Sequence, residues 1–351
     1  MKIDKNLTLF IPTKNRPSFI KRISKYYSAA NFSGKILVGD SSDTSIYKEN
    51  KLTLDNLKDN LDIQHFFLPG MSSGHACAEL VSHIKTEFAA QINDDDILIH
   101  NHINESLSLL KNNQDISGVN GKALLIGIKD NNAFGDIEWI NDYKLCQLDQ
   151  DNPYERINYF LKNPGNLNLS IFRSKFYDEI YKKILNLSKI NSYYEFEEII
   201  HGVTMASNGK IIQNNYLSNI RQGHDKQLYH SVDIYNWITD ENWQKANLII
   251  KELIMENFNN YSNKTELENL NEFKKIFLKR YSLILSASFN KLNKQNSKRK
   301  NTKYIKLLLK KLLLRLNIKK KNNITSILNK KFNMYVNELN FFMKIIKENN
   351  E

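Results

Sequence analysis

The sequence predicts an α/β fold, in which a Rossmann-like and mainly parallel sheet is flanked by helices and followed by a C-terminal helical extension. Two observations lead to this prediction. Short apolar segments alternate with amphipathic ones over the first hundred residues, as expected for repeated β-α-β units. Beyond residue 230, apolar residues recur at helical spacing, which indicates helices without further strands.

The first part should contain four strands that end at one edge of the sheet. They are predicted at residues 7–12, 35–40, 63–69 and 87–94, with helices at 18–31 and 75–86. Each strand ends in polar or turn-forming residues, as in Pro12-Thr13 and Asp40-Ser41. Because open parallel sheets bind ligands beyond the carboxyl ends of their strands, we expect functional residues at these positions.

The remaining elements divide the chain into three parts. Strands at residues 119–128, 166–174 and 210–215, with a helix at 193–208, complete the sheet-containing unit, and a long helix is expected at 232–258. We therefore expect a sheet domain at 1–230, a helical segment at 231–290 and a basic tail at 291–351.

The net charge of +12 belongs to the tail. Residues 291–331 contain fifteen Lys or Arg and no Asp or Glu, so the rest of the chain has 35 basic and 38 acidic side chains. Any polyanionic partner is therefore expected to contact the tail.

Residues 298–321 have the pattern of an amphipathic helix, typical of proteins that lie on an anionic membrane surface. The apolar stripe consists of Ile305, Leu308, Leu309, Leu312, Leu313 and Leu316, and the opposite side carries Lys303, Lys306 and Lys310. The leucines could instead pack on the protein body or on another subunit. A nucleic-acid-binding arm is disfavoured, because such arms rarely need an apolar stripe.

Cysteine content and hydropathy place the chain in a reducing cytoplasm. Cys77 and Cys146 are too few for a disulfide framework. The first residues lack the sustained apolar stretch of a secretion signal. No apolar run approaches the roughly 18 residues of a membrane-spanning helix. We therefore expect a soluble protein, or one peripheral to a membrane.

The adjacent residues Asp94, Asp95 and Asp96 directly follow the fourth predicted strand. Carboxylates in such a position can hold Mg²⁺ or Mn²⁺, with a diphosphate completing the coordination shell. The alternative is a solvated loop or helix start. Their position at the end of a strand favours the metal-binding interpretation.

The motifs, in their order, resemble GT-A glycosyltransferases, most closely the large family 2. The first strand ends in Pro12-Thr13-Lys14-Asn15-Arg16, Asp40 follows the second strand, and the acidic segment follows the fourth. The family also has an acidic pair on a helix, a Gly further along, and then a basic-x-x-His segment. Here Glu197-Glu198 lies eleven positions before Gly209, and Arg221 and His224 follow.

This resemblance implies a role for each matching residue. Glu198, in the Glu197-Glu198 pair, would be the general base of an inverting sugar transfer. The nucleotide-sugar donor would be bound by Pro12, Thr13, Asn15, Arg16, Asp40, Asp94, Asp95 and Arg221. A divalent metal, Mn²⁺ or Mg²⁺, would be bound by Asp95, Asp96 and His224. The register of the acidic motif stays open, because either Asn93 or Asp94 can be its first member.

The family's common work in bacterial surface-glycan assembly implies a glycan or lipid-linked acceptor, such as lipopolysaccharide, at the inner face of the cell membrane. Two other interpretations are open. A sugar nucleotidyltransferase shares the sheet and the acidic metal site, but residues 12–18 lack the glycine-rich phosphate loop it needs. A non-catalytic membrane or nucleic-acid binding protein would leave the acidic segment solvated.

Overall fold

The computed structural model describes residues 3–163, 165–188, 194–224, 238–298 and 332–347. Strands in these residues form one nine-stranded sheet. They are β1 (Leu7–Thr13), β2 (Lys35–Asp40), β3 (Asp62–Phe67), β4 (Phe88–Gln91), β5 (Asp96–Leu98), β6 (Ile116–Ile128), β7 (Ile137–Tyr143), β8 (Ile171–Arg173) and β9 (Lys210–Gln222). The strand order is β3-β2-β1-β4-β8-β6-β9-β5, and β7 pairs with β6 outside this path.

The first four strands in this order are parallel to one another. β8 then runs antiparallel to both β4 and β6, whereas β6 and β9 are parallel. All seven residues of β1 are buried, as expected for a central parallel strand covered on both faces. The predicted α/β architecture with a mainly parallel central sheet and flanking helices is confirmed.

Helices cover both faces of this sheet. They are α1 (Pro17–Ala29), α2 (Thr44–Asp55), α3 (Ser73–Ser82), α4 (His100–Asn112), α5 (Pro153–Lys162), α6 (Lys175–Ser188), α7 (Tyr194–Asn208), α8 (Glu241–Tyr261), α9 (Glu266–Lys298) and α10 (Val336–Lys347). Their starts follow local chemistry. Pro17 occupies the first turn of α1, and the Ser72 hydroxyl accepts a hydrogen bond from the His75 amide at the start of α3.

Two apolar layers result from the alternation of side chains along β1. Leu9 and Ile11 face a core shared with α1, α4 and α10, whereas Phe10 faces a core shared with α3 and α5 to α9. Side chains of adjacent strand residues point to opposite faces, so one central strand contributes to both layers.

The C-terminal helix α10 packs directly on the sheet-containing unit. Its Leu339 and Phe342 are buried in the same core as Leu9, and the ring of Phe341 lies 5.4 Å from that of Tyr26. The predicted boundary at 290 falls within α9, and the boundary at 230 falls outside the described residues. The predicted amphipathic helix, apart from Lys298, also lies outside the described residues. None of the helices described here is long and apolar enough to cross a membrane.

Replacing Phe258 by Ala should lower the free energy of unfolding by about 3 to 5 kcal/mol, because the change leaves a cavity in the core. Phe258 is fully buried in α8, with its ring 4.9 Å from that of Tyr154. Urea denaturation would measure the loss. Leu248→Ala is the control on the same helix, since Leu248 is 55% exposed. Similar losses for both variants would contradict this packing.

Candidate functional site

The carboxyl edge of the parallel strands brings the predicted site residues of β1 and β2 together. Thr13 and Asp40, the last residues of these strands, are paired in register, and the Ser41 amide donates a hydrogen bond to the Thr13 carbonyl at 2.9 Å. Pro12 is paired with Gly39 one step earlier. The predicted site residues Pro12, Thr13 and Asp40 therefore lie together at the ends of adjacent strands.

Asp40 is a buried carboxylate with hydrogen-bond donors on both oxygens. Its Oδ1 accepts from the Ser42 amide at 2.9 Å, and its Oδ2 accepts from Asn50 Nδ2 at 2.8 Å and lies 3.1 Å from His65 Nε2. Burial opposes ionisation, but the hydrogen bonds from His65, Ser42 and Asn50 outweigh it and lower the pKa of Asp40. The carboxylate is therefore a fixed anion at neutral pH.

A cluster of aromatic side chains, Tyr47 and Phe67 with His65, lies next to Asp40. The ring of Tyr47 stacks on Phe67 with centroids 4.2 Å apart and lies 4.8 Å from the His65 ring. His65 thus contacts both the aromatic cluster and the Asp40 carboxylate.

Asn15 links the loop after β1 to the loop after β2. Its φ of 55° lies in the left-handed region, which Asn tolerates better than most residues. The Asn15 amide donates to Ser42 Oγ at 2.6 Å, and its side chain exchanges hydrogen bonds with Asp43. Asn15 therefore fixes the shape of the loop that carries Arg16.

Asp94 is held by the end of β1. Its carboxylate accepts from Thr13 Oγ1 at 2.7 Å and from Arg16 Nη1 at 2.9 Å. Burial and the neighbouring charge of Asp95 raise the pKa of Asp94 to about 6, although Arg16 opposes the shift.

Asp95 contacts the only predicted metal-binding histidine. Its Oδ2 lies 2.8 Å from His224 Nε2 and 3.3 Å from Arg16 Nη1. The His224 ring packs against Phe19, with ring centroids 5.4 Å apart. Burial works against ionisation of Asp95, but the hydrogen bond from His224 and the charge of Arg16 hold its pKa below the ordinary value.

Asp96 begins β5 and is paired in register with Arg221 of β9. The Arg221 Nε lies 3.3 Å from the carboxylate, which also accepts from Asn93 Nδ2 at 3.1 Å. Burial raises the pKa of Asp96 to about 6, although the positive charge of Arg221 lowers it in part. The Arg221 guanidinium in turn lies 4.7 Å from the Tyr143 ring centroid and donates to the Tyr143 hydroxyl at 2.6 Å.

The donor atoms of Asp95 and His224 suit a divalent cation shared with a diphosphate. Across the described ranges, no three His, Cys, Asp or Glu side chains are grouped to hold a metal ion. A single carboxylate such as Asp95 can hold a divalent cation where substrate phosphates and water supply the other ligands, and His224 would add a nitrogen ligand. Asp96 faces Arg221 and Asn93, so its predicted part in metal binding is less direct than that of Asp95.

Glu197 of α7 lies near the first turn of α3. A Cβ placed on Gly74 would approach Glu197 Oε1 to 2.9 Å, so this carboxylate rests against bare backbone. Its charge interacts favourably with the N-terminal end of a helix. Because α3 starts after β3, whose carboxyl end is at the same sheet edge, Glu197 lies near that edge. The role of Glu198, the next residue of α7, stays a prediction.

Several site residues were not predicted from the sequence, among them Arg22, Asn50, His65, Tyr143 and Gln222. For Arg22 a signal exists, because it lies three residues after Phe19 and four before Tyr26 on the apolar side of α1. A charged residue on an apolar helix face is buried with partners. The others carry no such signal, since their partners are distant in sequence.

Among solved structures, the chain is similar to S. aureus TarS 1–349 in complex with UDP-GlcNAc, with 12% identity, coverage of 79% of this chain and 72% of that chain, and a TM-score of 0.52. The longer S. aureus TarS structure has 12% identity and a TM-score of 0.49, and the match covers 79% of this chain and 43% of that chain. The mannosyltransferase PcManGT from Pyrobaculum calidifontis, in complex with GDP-Man and Mn²⁺, has 10% identity, coverage of 97% and 85%, and a TM-score of 0.43.

Neither a protein-family model nor a curated protein matches the sequence. The likeness to TarS 1–349 shows that this chain has the GT-A glycosyltransferase fold.

Proposed function

We propose that this protein is a glycosyltransferase that moves a sugar from a nucleotide-sugar donor to a hydroxyl group of an acceptor. The observation that carries the proposal is the arrangement at the carboxyl edge of the sheet. There the Asp40 carboxylate lies next to Thr13, and Thr13 donates to Asp94 in the cluster of Asp94 and Asp95 with Arg16 and His224. A nucleotide base and its diphosphate need these two environments side by side.

The donor would lie along this edge. The Asp40 carboxylate would accept a hydrogen bond from a base N–H, and Pro12, Thr13 and Asn15 would line the nucleotide with their loop. Arg16 and Arg221 would face the diphosphate, since their ion pairs with Asp94 and Asp96 hold both guanidinium groups beside the acidic cluster. Asp94, which accepts hydrogen bonds from Thr13 and Arg16, would lie beside the donor.

A divalent cation, Mn²⁺ or Mg²⁺, would be held by Asp95 and His224, with Asp96 next to them. When bound, it would offset the charge that develops on the departing nucleoside diphosphate.

Glu198 would act as the general base in one displacement that inverts the anomeric carbon. The acceptor hydroxyl oxygen forms a bond to the anomeric carbon while the bond from that carbon to the diphosphate oxygen breaks. The hydroxyl proton passes to the Glu198 carboxylate, and the nucleoside diphosphate leaves with the electron pair. A carboxylate beside the acceptor contributes to such a step by removing the proton in the transition state.

The acceptor would be a glycan or a lipid-linked glycan at the inner face of the cell membrane. The basic amphipathic pattern at residues 298–321 supports this location. An acceptor confined to the membrane surface would then meet an enzyme confined to the same surface.

Calorimetric titration of the full chain with UDP, GDP, CDP and dTDP, with Mn²⁺ or with chelator, tests the donor site. We expect one diphosphate to bind, and chelator or Asp95→Asn to weaken this binding at least tenfold, in line with the loss of a metal ligand. Asp59→Asn, an exposed aspartate in the loop after α2, is the control and should bind like the native protein. Absence of binding to all four diphosphates would overturn the proposal.

Glu198→Gln should slow release of nucleoside diphosphate from the donor by about 10² to 10⁴-fold, the usual effect of removing a general base. Water can serve as the acceptor, so slow donor hydrolysis measures this without knowledge of the natural acceptor. Diphosphate affinity should stay unchanged, because Glu198 acts on the acceptor side. Glu179→Gln, on the exposed face of α6, is the control. Equal hydrolysis rates for both variants would remove Glu198 from this role.

Replacing Lys303, Lys306 and Lys310 together by Gln should weaken binding to phosphatidylserine vesicles by about a hundredfold, since each basic residue near such a surface contributes about 1 kcal/mol. Co-sedimentation would measure the change. The control replaces Lys48, Lys51 and Lys58, three exposed lysines of the body. Equal vesicle binding by the two triple variants would contradict membrane attachment through this segment.

A further inference from the structure

Arg22 is a buried cation that connects four parts of the fold. Arg22 belongs to α1, and its side chain is almost wholly buried. Nη2 donates to the Asp95 backbone carbonyl at 2.7 Å. Nη1 donates to Gln222 Oε1 at the end of β9 and to the Ala133 carbonyl at 3.3 Å. A planar guanidinium can serve several acceptors at once in a fixed geometry, which a lysine ammonium cannot do.

The loop at residues 129–136, between β6 and β7, is tied to the same residues. Gln222 Nε2 donates to the Asn132 carbonyl at 2.8 Å, so both ends of the Gln222 amide are used. Gln222 lies two residues before His224. The position of the histidine therefore depends on this loop and on Arg22 together.

The C-terminal helix α10 packs against this network of hydrogen bonds. The Phe342 ring centroid lies 5.9 Å from the Arg22 guanidinium carbon, and Phe19 lies at 4.9 Å from it. The Gly135 amide donates to the Ile346 carbonyl of α10 at 3.0 Å. Gly135 has a φ of +135°, a conformation open to glycine. Helix α10 thus covers the Arg22 guanidinium. It also anchors the 129–136 loop, whose Ala133 carbonyl accepts a hydrogen bond from Arg22.

We propose that α10 is part of the scaffold of the donor site, in which Phe342 and Arg22 are positioning residues that fix the Asp95 backbone and the segment leading to His224. The effect on ligand binding rests on the glycosyltransferase function proposed above, whereas the effect on the free protein does not. Aromatic rings over a desolvated guanidinium stabilise it through the interaction of its charge with the ring faces. Without Phe342, water would compete for the hydrogen bonds of Arg22.

Hydrogen–deuterium exchange of the full chain tests the proposal without any ligand. The amides to follow are those of Asp96, which donates to Asn93, and Gly223, which donates to Ile126. Phe342→Leu keeps an apolar side chain but removes the ring, and we expect exchange at both amides to become about tenfold faster. Phe258→Leu, the same change in the opposite core layer, should leave both amides protected. Equal protection in the two variants would overturn the proposal.

Binding supplies the second measurement, with Arg22→Lys as the second variant. Where the native protein binds a diphosphate with Mn²⁺, Phe342→Leu and Arg22→Lys should each weaken that binding about tenfold, as measured for residues that orient metal ligands. Phe258→Leu should bind normally. Native affinity in both site variants would overturn the positioning role. A native protein that binds no diphosphate would overturn the proposed function, while the exchange result would still decide the positioning role.

Discussion

The structure depends on the neutralisation of three adjacent buried carboxylates by three arginines from separate elements. Asp94, Asp95 and Asp96 follow one another between β4 and the start of β5, where burial disfavours their charged forms. Arg16 from the loop before α1 and Arg221 from β9 form ion pairs with these carboxylates, whereas Arg22 from within α1 donates to the Asp95 backbone carbonyl and contributes its charge nearby. Because these partners are far apart in sequence, the site and the tertiary fold form together.

This requirement bears on the pairing of β5 with β9 at the edge of the sheet. Antiparallel pairing of β5 with β9 places Asp96 opposite Arg221, so an ion pair coincides with a pair in the strand register. A slip of one residue would move Arg221 to the other face of the sheet and leave Asp96 buried without its cation. The register of these two short segments is therefore fixed by charge as well as by apolar packing.

The sequence predicted the elements that carry strong periodicity. The second strand was predicted at residues 35–40 and is observed at Lys35–Asp40, and the helix predicted at 193–208 is observed at Tyr194–Asn208. Helix α2 was not predicted, because only Asn50 and Leu54 of its residues are buried and its apolar stripe is weak. His102, in the first turn of α4, is fully buried beside Ser106 and Asn214. That contact depends on how α4 packs against β9, which no local pattern reports.

The same limit applies to the site. The carboxyl ends of β1, β2 and β4 could be assigned from strand patterns alone, so Thr13, Asp40 and the acidic segment were found. The partners that orient them, such as His65 for Asp40, come from neighbouring strands whose pairing is a property of the whole sheet. Likewise, the burial of Phe342 against Arg22 joins residues 320 positions apart in the chain, and only the folded structure shows that α10 belongs to this region.

The charge balance of the cluster gives a physical reason for a cation in the donor complex. Without ligand, the three carboxylates are opposed by three guanidinium groups, so the buried site has little net charge. A nucleoside diphosphate adds several negative charges beside Asp94 and Asp95, at a place where burial makes uncompensated charge costly. Arg16 cannot fully serve the diphosphate while it also pairs with both aspartates. A divalent cation between Asp95, His224 and the diphosphate would restore the balance, which is why the proposed donor binding is expected to require metal.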